Sequence, residues 1–282
     1  MRQKRIAAIH DISGIGKCSL TVALPILSVA GIECAALPTA LLSTHTGGFK
    51  NIYIKDLTSS ITPIAEHWHS EGFEFDAIYS GYLGSKEQID LVADTVNKLK
   101  GKDTLVVVDP VMGDNGKLYQ TFSLSFASKM RDLCARADII TPNVTEACLM
   151  LGEDYKAPPY SKEYIEHLLK GLSKICNGTV VLTGACLKEN EQGAAAYNSK
   201  QDKISFVSCP KIDGMYHGTG DVFASAFVSA MVRGLGMEKA LKVATEFTCM
   251  AIENTAQNRP EMWYGVNFEG VLCKLPDMLK DE

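Results

Sequence analysis

The alternation of short β-rich runs with longer helical patterns most constrains how this 282-residue chain can fold. Runs such as Leu105-Val106-Val107-Val108 are continuously apolar, which is typical of parallel strands covered on both faces. The segments between such runs carry apolar residues at three- and four-residue spacing, as amphipathic helices do. The pattern predicts strands over residues 5–10, 33–38, 77–80, 104–109, 138–141 and 179–183, and helices over residues 18–30, 63–71, 86–99, 123–136, 144–151 and 162–176.

The alternation changes after residue 183. Residues 194–197 and 203–209 form two β-rich runs without a helical pattern between them, which predicts an antiparallel hairpin at a sheet edge. No linker, internal repeat or low-complexity tract interrupts the chain, so we expect residues 1–282 to form one domain. The predicted class is α/β, a three-layer αβα sandwich with a mostly parallel sheet. Further helices are predicted over residues 221–232, 238–254 and near 268–279.

Composition limits the partners of the chain. Its net charge is −5 with both signs intermixed, and no Lys/Arg run carries interleaved aromatic residues, which argues against nucleic acid. No apolar run reaches the roughly 18 residues that a membrane span needs. The basic start Met1-Arg2-Gln3-Lys4-Arg5 leads to no small-residue cleavage site. We therefore expect a cytoplasmic protein without a membrane partner.

The nine cysteines have no Cys-x-x-Cys pair, and an odd number cannot all pair within one chain. We expect them to be reduced and mostly buried. Neither the cysteines nor the six histidines cluster at zinc-ligand spacing. Cys186 follows Thr183-Gly184-Ala185 and could be a nucleophile, but a core position is the favoured interpretation.

The segment His217-Gly218-Thr219-Gly220-Asp221 precedes an apolar helical pattern. Its glycines permit a tight turn, and a helix N-terminus offers free N–H donors to an anion such as phosphate. A carboxylate beside a bound phosphate would repel it, which is tolerable where the carboxylate takes a proton from an attacking hydroxyl. Asp is also a favoured N-cap residue, so this motif alone leaves a base and a helix cap open for Asp221.

Polar residues follow the first and the third to sixth of the predicted strands. Ligands of doubly wound sheets bind beyond the carboxyl ends of the strands, so these positions indicate a site, although turn chemistry favours the same residue types. The positions are Asp11, Ser80-Gly81-Tyr82, Asp109-Pro110, Pro142-Asn143 and Thr183-Gly184.

Three segments at or near these positions have competing interpretations. Residues 13–19 approach a phosphate-binding P-loop, but Asp11 and Cys18 stand where that motif requires Gly and Ser or Thr, so Lys17 is expected to be solvated near a helix start. Residues 109–114 could hold magnesium through water or solvate a turn. Asn143 and Glu146 have the spacing of a helix capping box, which alone would explain both.

Taken together and in order, these motifs resemble the ribokinase superfamily over nearly the whole chain. The resemblance rests on residues 109–114, 138–146 and 218–221. Residues 43–47 and 80–83 resemble the pyridoxal kinase branch. Asp11 stands where many pyridoxal kinases carry Ser, and the residues after it are similar to hydroxymethylpyrimidine kinases, which leaves the acceptor open.

The resemblance implies a ribokinase-like fold, a homodimer, ATP and Mg²⁺, with or without a monovalent cation. It implies that Asp221 is the general base and that the amides of Gly218, Thr219 and Gly220 stabilise the transferring phosphoryl group. Asn143, Glu146 and Thr183 would bind ATP, Asp109 and Glu146 would organise magnesium through water, and Asp11, Thr46 and Tyr82 would contact the acceptor.

The function expected from the resemblance is ATP-dependent phosphorylation of the 5′-hydroxymethyl group of pyridoxal, pyridoxamine or pyridoxine. The same base could serve a hydroxymethylpyrimidine kinase, which acts on another ring. A non-catalytic vitamin-binding sensor is the third alternative, although a base, an anion hole and an acidic metal set would have no use in it.

Overall fold

The computed structural model describes residues 2–176, 178–258 and 261–280. Within these residues a nine-stranded sheet has the order β11-β10-β9-β8-β5-β4-β1-β2-β3, and β6 and β7 form a separate hairpin. The strands are β1 (Arg5–Ile15), β2 (Glu33–Thr44), β3 (Ile54–Asp56), β4 (Ala77–Ser80), β5 (Leu105–Val108), β6 (Gly113–Asp114), β7 (Lys117–Leu118), β8 (Ile139–Ile140), β9 (Thr179–Thr183), β10 (Glu191–Asn198) and β11 (Lys203–Pro210).

Helices cover both faces of the sheet, as the apolar strands require. Buried side chains of α2 to α6 form one core, and those of α1, α7, α8 and α9 form the other. The helices are α1 (Leu20–Val29), α2 (Thr58–Ser70), α3 (Lys86–Leu99), α4 (Leu124–Cys134), α5 (Val144–Leu151), α6 (Lys162–Leu172), α7 (Thr219–Val232), α8 (Met237–Asn258) and α9 (Leu275–Met278), the last preceded by a 3₁₀ helix, Phe268–Lys274.

This architecture confirms the predicted α/β class. Strands β1, β2, β4, β5, β8 and β9 pair in parallel, and β10 pairs antiparallel with both β9 and β11, which is the predicted edge hairpin. In the part of the chain that is described, each helix is too short or too polar to cross a bilayer.

Some local features differ from the sequence prediction. Strand β1 does not end before Asp11 but continues to Ile15, and its register shifts between His10 and Ile12. Asp11 therefore lies inside the strand, at this register shift. The short strands β3, β6 and β7 were not predicted, because two- and three-residue strands have no periodicity of their own.

One expectation about the cysteines is wrong. Cys209 at the end of β11 is disulfide-bonded to Cys249 in α8, with their Cα atoms 6.7 Å apart. The two residues are 40 positions apart in the sequence, so only the packing of α8 against the hairpin brings them together. The other seven cysteines are free, as expected, but only three of them are buried rather than most, namely Cys134, Cys148 and Cys176.

We expect reduction of this disulfide by a dithiol to lower the free energy of unfolding by about 2–4 kcal/mol, because it frees a long loop in the unfolded chain. Urea unfolding with and without the dithiol measures the change, and the exposed, free Cys273 provides the control. Cys273→Ser should keep the dependence on reductant and Cys249→Ser should remove it. A wild-type midpoint that is insensitive to reductant would contradict the pairing.

Candidate active site

A cleft of about 680 Å³ lies at the carboxyl ends of the parallel strands. Strand ends meet there because parallel strands point the same way, and helix N-termini follow them. Every site residue predicted from the sequence lines this one cleft. They are Asp11, Thr46, Tyr82, Asp109, Asn143, Glu146, Thr183, Gly218, Thr219, Gly220 and Asp221.

The N-terminus of α7 opens into the cleft. Gly218 is the N-cap in a left-handed conformation (φ 79°), and the helix begins at Thr219. A Cβ atom on Gly218 would lie 2.0 Å from the Lys17 carbonyl oxygen, so this close approach requires glycine. The first-turn amides of a helix have no intrahelical partners, which makes this end an anion-binding surface.

Asp221 is the third residue of α7 rather than its cap. The helix has no side-chain cap hydrogen bond, so the capping interpretation of Asp221 is wrong. Burial raises the pKa of this carboxyl to about 7; the Ser19 amide opposes the shift, and the charge of Asp11 adds to it. A carboxyl group with a pKa near neutrality can accept and release a proton under ordinary conditions.

Asn143 and Glu146 form the predicted capping box of α5. Asn143 Oδ1 accepts from the Glu146 amide, and Glu146 Oε2 accepts from the Asn143 amide, both at 2.9 Å. The second carboxylate oxygen accepts from the Met112 amide at 3.0 Å, and Asn143 Nδ2 donates to the Gly113 carbonyl at 2.9 Å. These bonds fix both side chains against the β5–β6 segment at the edge of the cleft.

Carboxyl groups crowd this end of the cleft. Burial and the charges of Glu146 and Asp221 raise the pKa of Asp109, and burial raises that of Glu146 to about 8 against its backbone hydrogen bonds. Among the described residues, no Lys or Arg lines the cleft. A polyphosphate bound there would meet several acidic groups and, within the described part of the chain, no Lys or Arg to neutralise it.

These residues fit a magnesium ion held mainly by water and phosphate. In the described chain, no three His, Cys, Asp or Glu side chains lie close enough to hold a metal by themselves. Mg²⁺ usually keeps several waters and takes one or two carboxylates together with substrate phosphates. Asp109 and Glu146 provide carboxylates of the required kind.

Asp11 and Tyr82 lie at the other end of the cleft. Asp11 is 2% exposed, and its two oxygens accept hydrogen bonds from Ser13 Oγ at 3.0 Å and Ser19 Oγ at 2.5 Å. Burial raises the pKa of the Tyr82 hydroxyl, and its ring is tilted against Phe122 at 5.7 Å between centroids. This end combines an aromatic surface with polar groups, which suits a small polar ring.

His45 is a site residue that sequence reasoning did not single out. Its Nδ1 accepts from the Gly47 amide at 3.0 Å, so a neutral ring carries its proton on Nε2 and donates to the Tyr264 carbonyl at 2.7 Å. Burial lowers the pKa of this imidazole, in agreement with the neutral form. His45 thereby joins the loop that carries Thr46 to the C-terminal segment across the mouth of the cleft.

One face of α8 lines the remaining wall and was also missed. Thr245, Thr248 and Ile252 follow one another at helical spacing of three and four residues and lie opposite Gln192 of β10. In the sequence, these threonines interrupt an otherwise apolar stripe, and this interruption was the signal from which a polar wall could have been predicted. Lys17, by contrast, lies outside the cleft, because its ammonium pairs with Glu269 and lies over the Phe268 ring.

Known proteins share this fold. Residues 24–264 match the family model described as phosphomethylpyrimidine kinase. A Bacteroides thetaiotaomicron protein named as a candidate phosphomethylpyrimidine kinase, crystallised with pyridoxal, is 38% identical with a TM-score of 0.92, over 97% of this chain and 96% of that one. Pyridoxal kinase from Lactobacillus plantarum is 31% identical with a TM-score of 0.88, over 98% and 97%. A Schizosaccharomyces pombe protein named as a candidate pyridoxal kinase is 31% identical over 233 residues, 79% of this chain and 72% of the relative.

Proposed function

Because this chain belongs to the phosphomethylpyrimidine kinase family and has the ribokinase-like fold of pyridoxal kinase, we propose that it phosphorylates a vitamin B6 vitamer. The γ-phosphoryl group of ATP would pass to the 5′-hydroxymethyl group of pyridoxal, pyridoxamine or pyridoxine. The observation that carries this choice of acceptor is the relative with 38% identity and a TM-score of 0.92 whose crystals contain pyridoxal.

In this proposal Asp221 accepts the proton of the acceptor hydroxyl as its oxygen attacks phosphorus. This role is supported by the location of Asp221 in the first turn of α7, directly after Gly218, Thr219 and Gly220. The amides of these three residues stabilise negative charge on the transferring group, because backbone donors at a helix N-terminus are already oriented toward an anion. Phosphoryl transfer requires from the protein mainly this positioning and charge stabilisation.

We assign nucleotide binding to the part of the cleft that contains Asn143 and Thr183. Asn143 and Thr183 lie on neighbouring segments joined by a β-bridge and would contact the ATP phosphates. Asp109 and Glu146 would hold Mg²⁺ through water, and the bound ion would neutralise phosphate charge, since no Lys or Arg of the described residues lines the cleft. The α8 face around Thr245 and Thr248 would pack against the nucleoside.

The acceptor ring would lie between Asp11, Thr46 and Tyr82. Hydroxymethylpyrimidine is the second candidate acceptor, since the matching family model carries the name of that activity. A sensor without catalysis is disfavoured by membership of a kinase family. The homodimer implied by the resemblance stays a prediction.

Parallel assays of acceptors test the proposal. With ATP and Mg²⁺, we expect kcat/KM for at least one B6 vitamer to exceed that for 4-amino-5-hydroxymethyl-2-methylpyrimidine by about tenfold or more, because polar groups in a binding site discriminate strongly between substituents. Coupled detection of ADP and mass measurement of the phosphorylated product provide the readouts.

The opposite ratio would establish the pyrimidine activity in place of the proposed one. Binding of pyridoxal without any ADP formation would instead identify a sensor. An assay with ATP and no acceptor separates transfer from simple ATP hydrolysis.

A further inference from the structure

His217 directly precedes Gly218, the N-cap of α7, and it lines the cleft. The residue is half-buried, and its backbone carbonyl accepts a hydrogen bond from the Val266 amide at 3.3 Å. This bond ties the chain at His217 to the C-terminal segment. The imidazole is therefore carried by backbone that is fixed on both sides, next to the anion-binding end of α7.

The His217 ring packs against the loop that carries Thr46. A Cβ atom on Gly47 would lie 2.8 Å from His217 Cε1 and 3.0 Å from its Nδ1, so the ring reaches the backbone of this loop. Its centroid is 4.9 Å from that of the His45 ring, at an interplanar angle of 39°. In the proposed function, a phosphoryl group passes from the N-terminus of α7 to an acceptor held by this loop, and His217 contacts both elements.

His217 is also the histidine of the cleft whose ring is available to a ligand. Of the described side chains that line the cleft, only His45 and His217 can carry a positive charge. His45 uses both ring nitrogens, one as acceptor for the Gly47 amide and one as donor to the Tyr264 carbonyl. In the part of the chain that the structure describes, the ring nitrogens of His217 make no hydrogen bond.

We propose that His217 is a catalytic residue whose ring N–H donates a hydrogen bond to a non-bridging oxygen of the transferring phosphoryl group. The inference rests on the proposed function and adds a side-chain donor to the amides of Gly218, Thr219 and Gly220. During transfer, the bond between the acceptor oxygen and phosphorus forms, and the bond from phosphorus to the β–γ bridging oxygen of ATP breaks. The proton of the acceptor hydroxyl goes to Asp221, and His217 keeps its own proton throughout.

A neutral imidazole is sufficient for this role. Burial lowers the pKa of His217, which favours the neutral ring, and a neutral ring retains one N–H donor. Hydrogen bonds to a charged acceptor are stronger than those between neutral groups. Loss of this donor should therefore affect the transfer step rather than the binding of the acceptor ring.

Steady-state kinetics of His217→Phe and His217→Gln test the inference, with the acceptor that the wild type phosphorylates best. Phe keeps an aromatic ring but has no donor, whereas Gln keeps a neutral N–H. We expect His217→Phe to lower kcat by about 10- to 100-fold, the size of losing a hydrogen bond to a charged group, with the acceptor KM within about threefold. His217→Gln should lose less. As a matched control, His69→Phe replaces an exposed histidine of α2 and should keep wild-type kinetics.

A binding measurement gives a second readout that needs no turnover. Aluminium fluoride, which mimics a phosphoryl group in transit, is titrated into the protein in the presence of ADP and Mg²⁺. We expect its affinity for His217→Phe to be about tenfold or more below that for wild type, because analogues of the transition state reveal contacts that act during transfer. The affinity for ADP alone should stay within about twofold, also by analogy with a contact made only to the transferring group.

Three results would overturn the inference and leave the proposed function standing. They are a His217→Phe kcat within about twofold of wild type, a loss confined to the acceptor KM, and equal losses of affinity for ADP and aluminium fluoride. A wild-type protein that phosphorylates neither class of acceptor would overturn the proposed function, and the aluminium fluoride titration would then judge His217 by itself. Should His217→Phe fail to fold, His217→Ala removes the same donor without a bulky ring and is judged by the same criteria.

Discussion

Replacing Asp221 by Asn should lower kcat by about 10²- to 10⁴-fold, the usual contribution of a positioned general base, while nucleotide affinity stays unchanged. The amide has the shape of the carboxyl group but cannot accept the proton of the acceptor hydroxyl. Single-turnover assays and ADP binding measure the two quantities. Asp277→Asn changes an exposed aspartate paired with Lys280 and should keep wild-type kinetics. A near-normal rate in Asp221→Asn would remove Asp221 from the role of base.

The pH dependence of the wild type follows from the same group. As the proposed base, Asp221 must be deprotonated to act, and its pKa is raised to about 7, so kcat should fall as pH decreases through about 7 and level off above it. The residual rate of Asp221→Asn should lack this dependence. Since the folded-state pKa lies above its ordinary value of 3.8, ionisation between these pH values destabilises the fold. Asp221→Asn should therefore be at least as stable as wild type at pH 8.

Replacing Gly218 by Ala should lower kcat by about 10²- to 10³-fold, comparable to the loss of one donor from an anion hole. The new Cβ would lie 2.0 Å from the Lys17 carbonyl oxygen and at a φ of 79°, so the turn must move and its amides with it. We expect a loss of about 1–3 kcal/mol in the free energy of unfolding as well. Kinetics and urea unfolding of the variant measure both effects.

The variant Gly152→Ala separates the effect of backbone strain at a positive φ from the effect of a steric clash. Gly152 ends α5 at a φ of 71°, and a Cβ there would have no heavy atom within 4 Å. This variant should lose about 1–2 kcal/mol of stability from the left-handed backbone alone and keep wild-type kcat. Equal kinetics in Gly218→Ala and wild type would contradict an anion hole at α7.

Much of the fold was predictable because its signals are local. The predicted bounds of α3 and α5 agree with the structure, because the apolar spacing and the N-terminal polar residues that mark these helices lie within one short stretch of sequence. The capping box of Asn143 and Glu146 was predicted for the same reason. In the N-terminal part of the chain, by contrast, the sequence suggested a turn after His10, and the structure continues β1 past Asp11.

The candidate site was predictable as a set of residues but not as a geometry. Polar residues after parallel strands must meet at one edge, so the cleft could be anticipated from their order. The neutral tautomer of His45 depends on the Tyr264 carbonyl, which is distant in the sequence, so no periodicity or motif within one segment could indicate it. The threonines of α8 stand out within their own segment, but that they line the cleft depends on the packing of the whole chain.

The sequence by itself determined the α/β class, the antiparallel hairpin, and the residues that meet in the cleft, because periodicity and strand-end chemistry are properties of neighbouring residues. Only the tertiary structure decided that Asp221 is not a cap, that Cys209 pairs with Cys249, and that the neutral ring of His45 donates to the Tyr264 carbonyl. Burial and long-range contacts set these features, and a linear chain contains neither until it has folded.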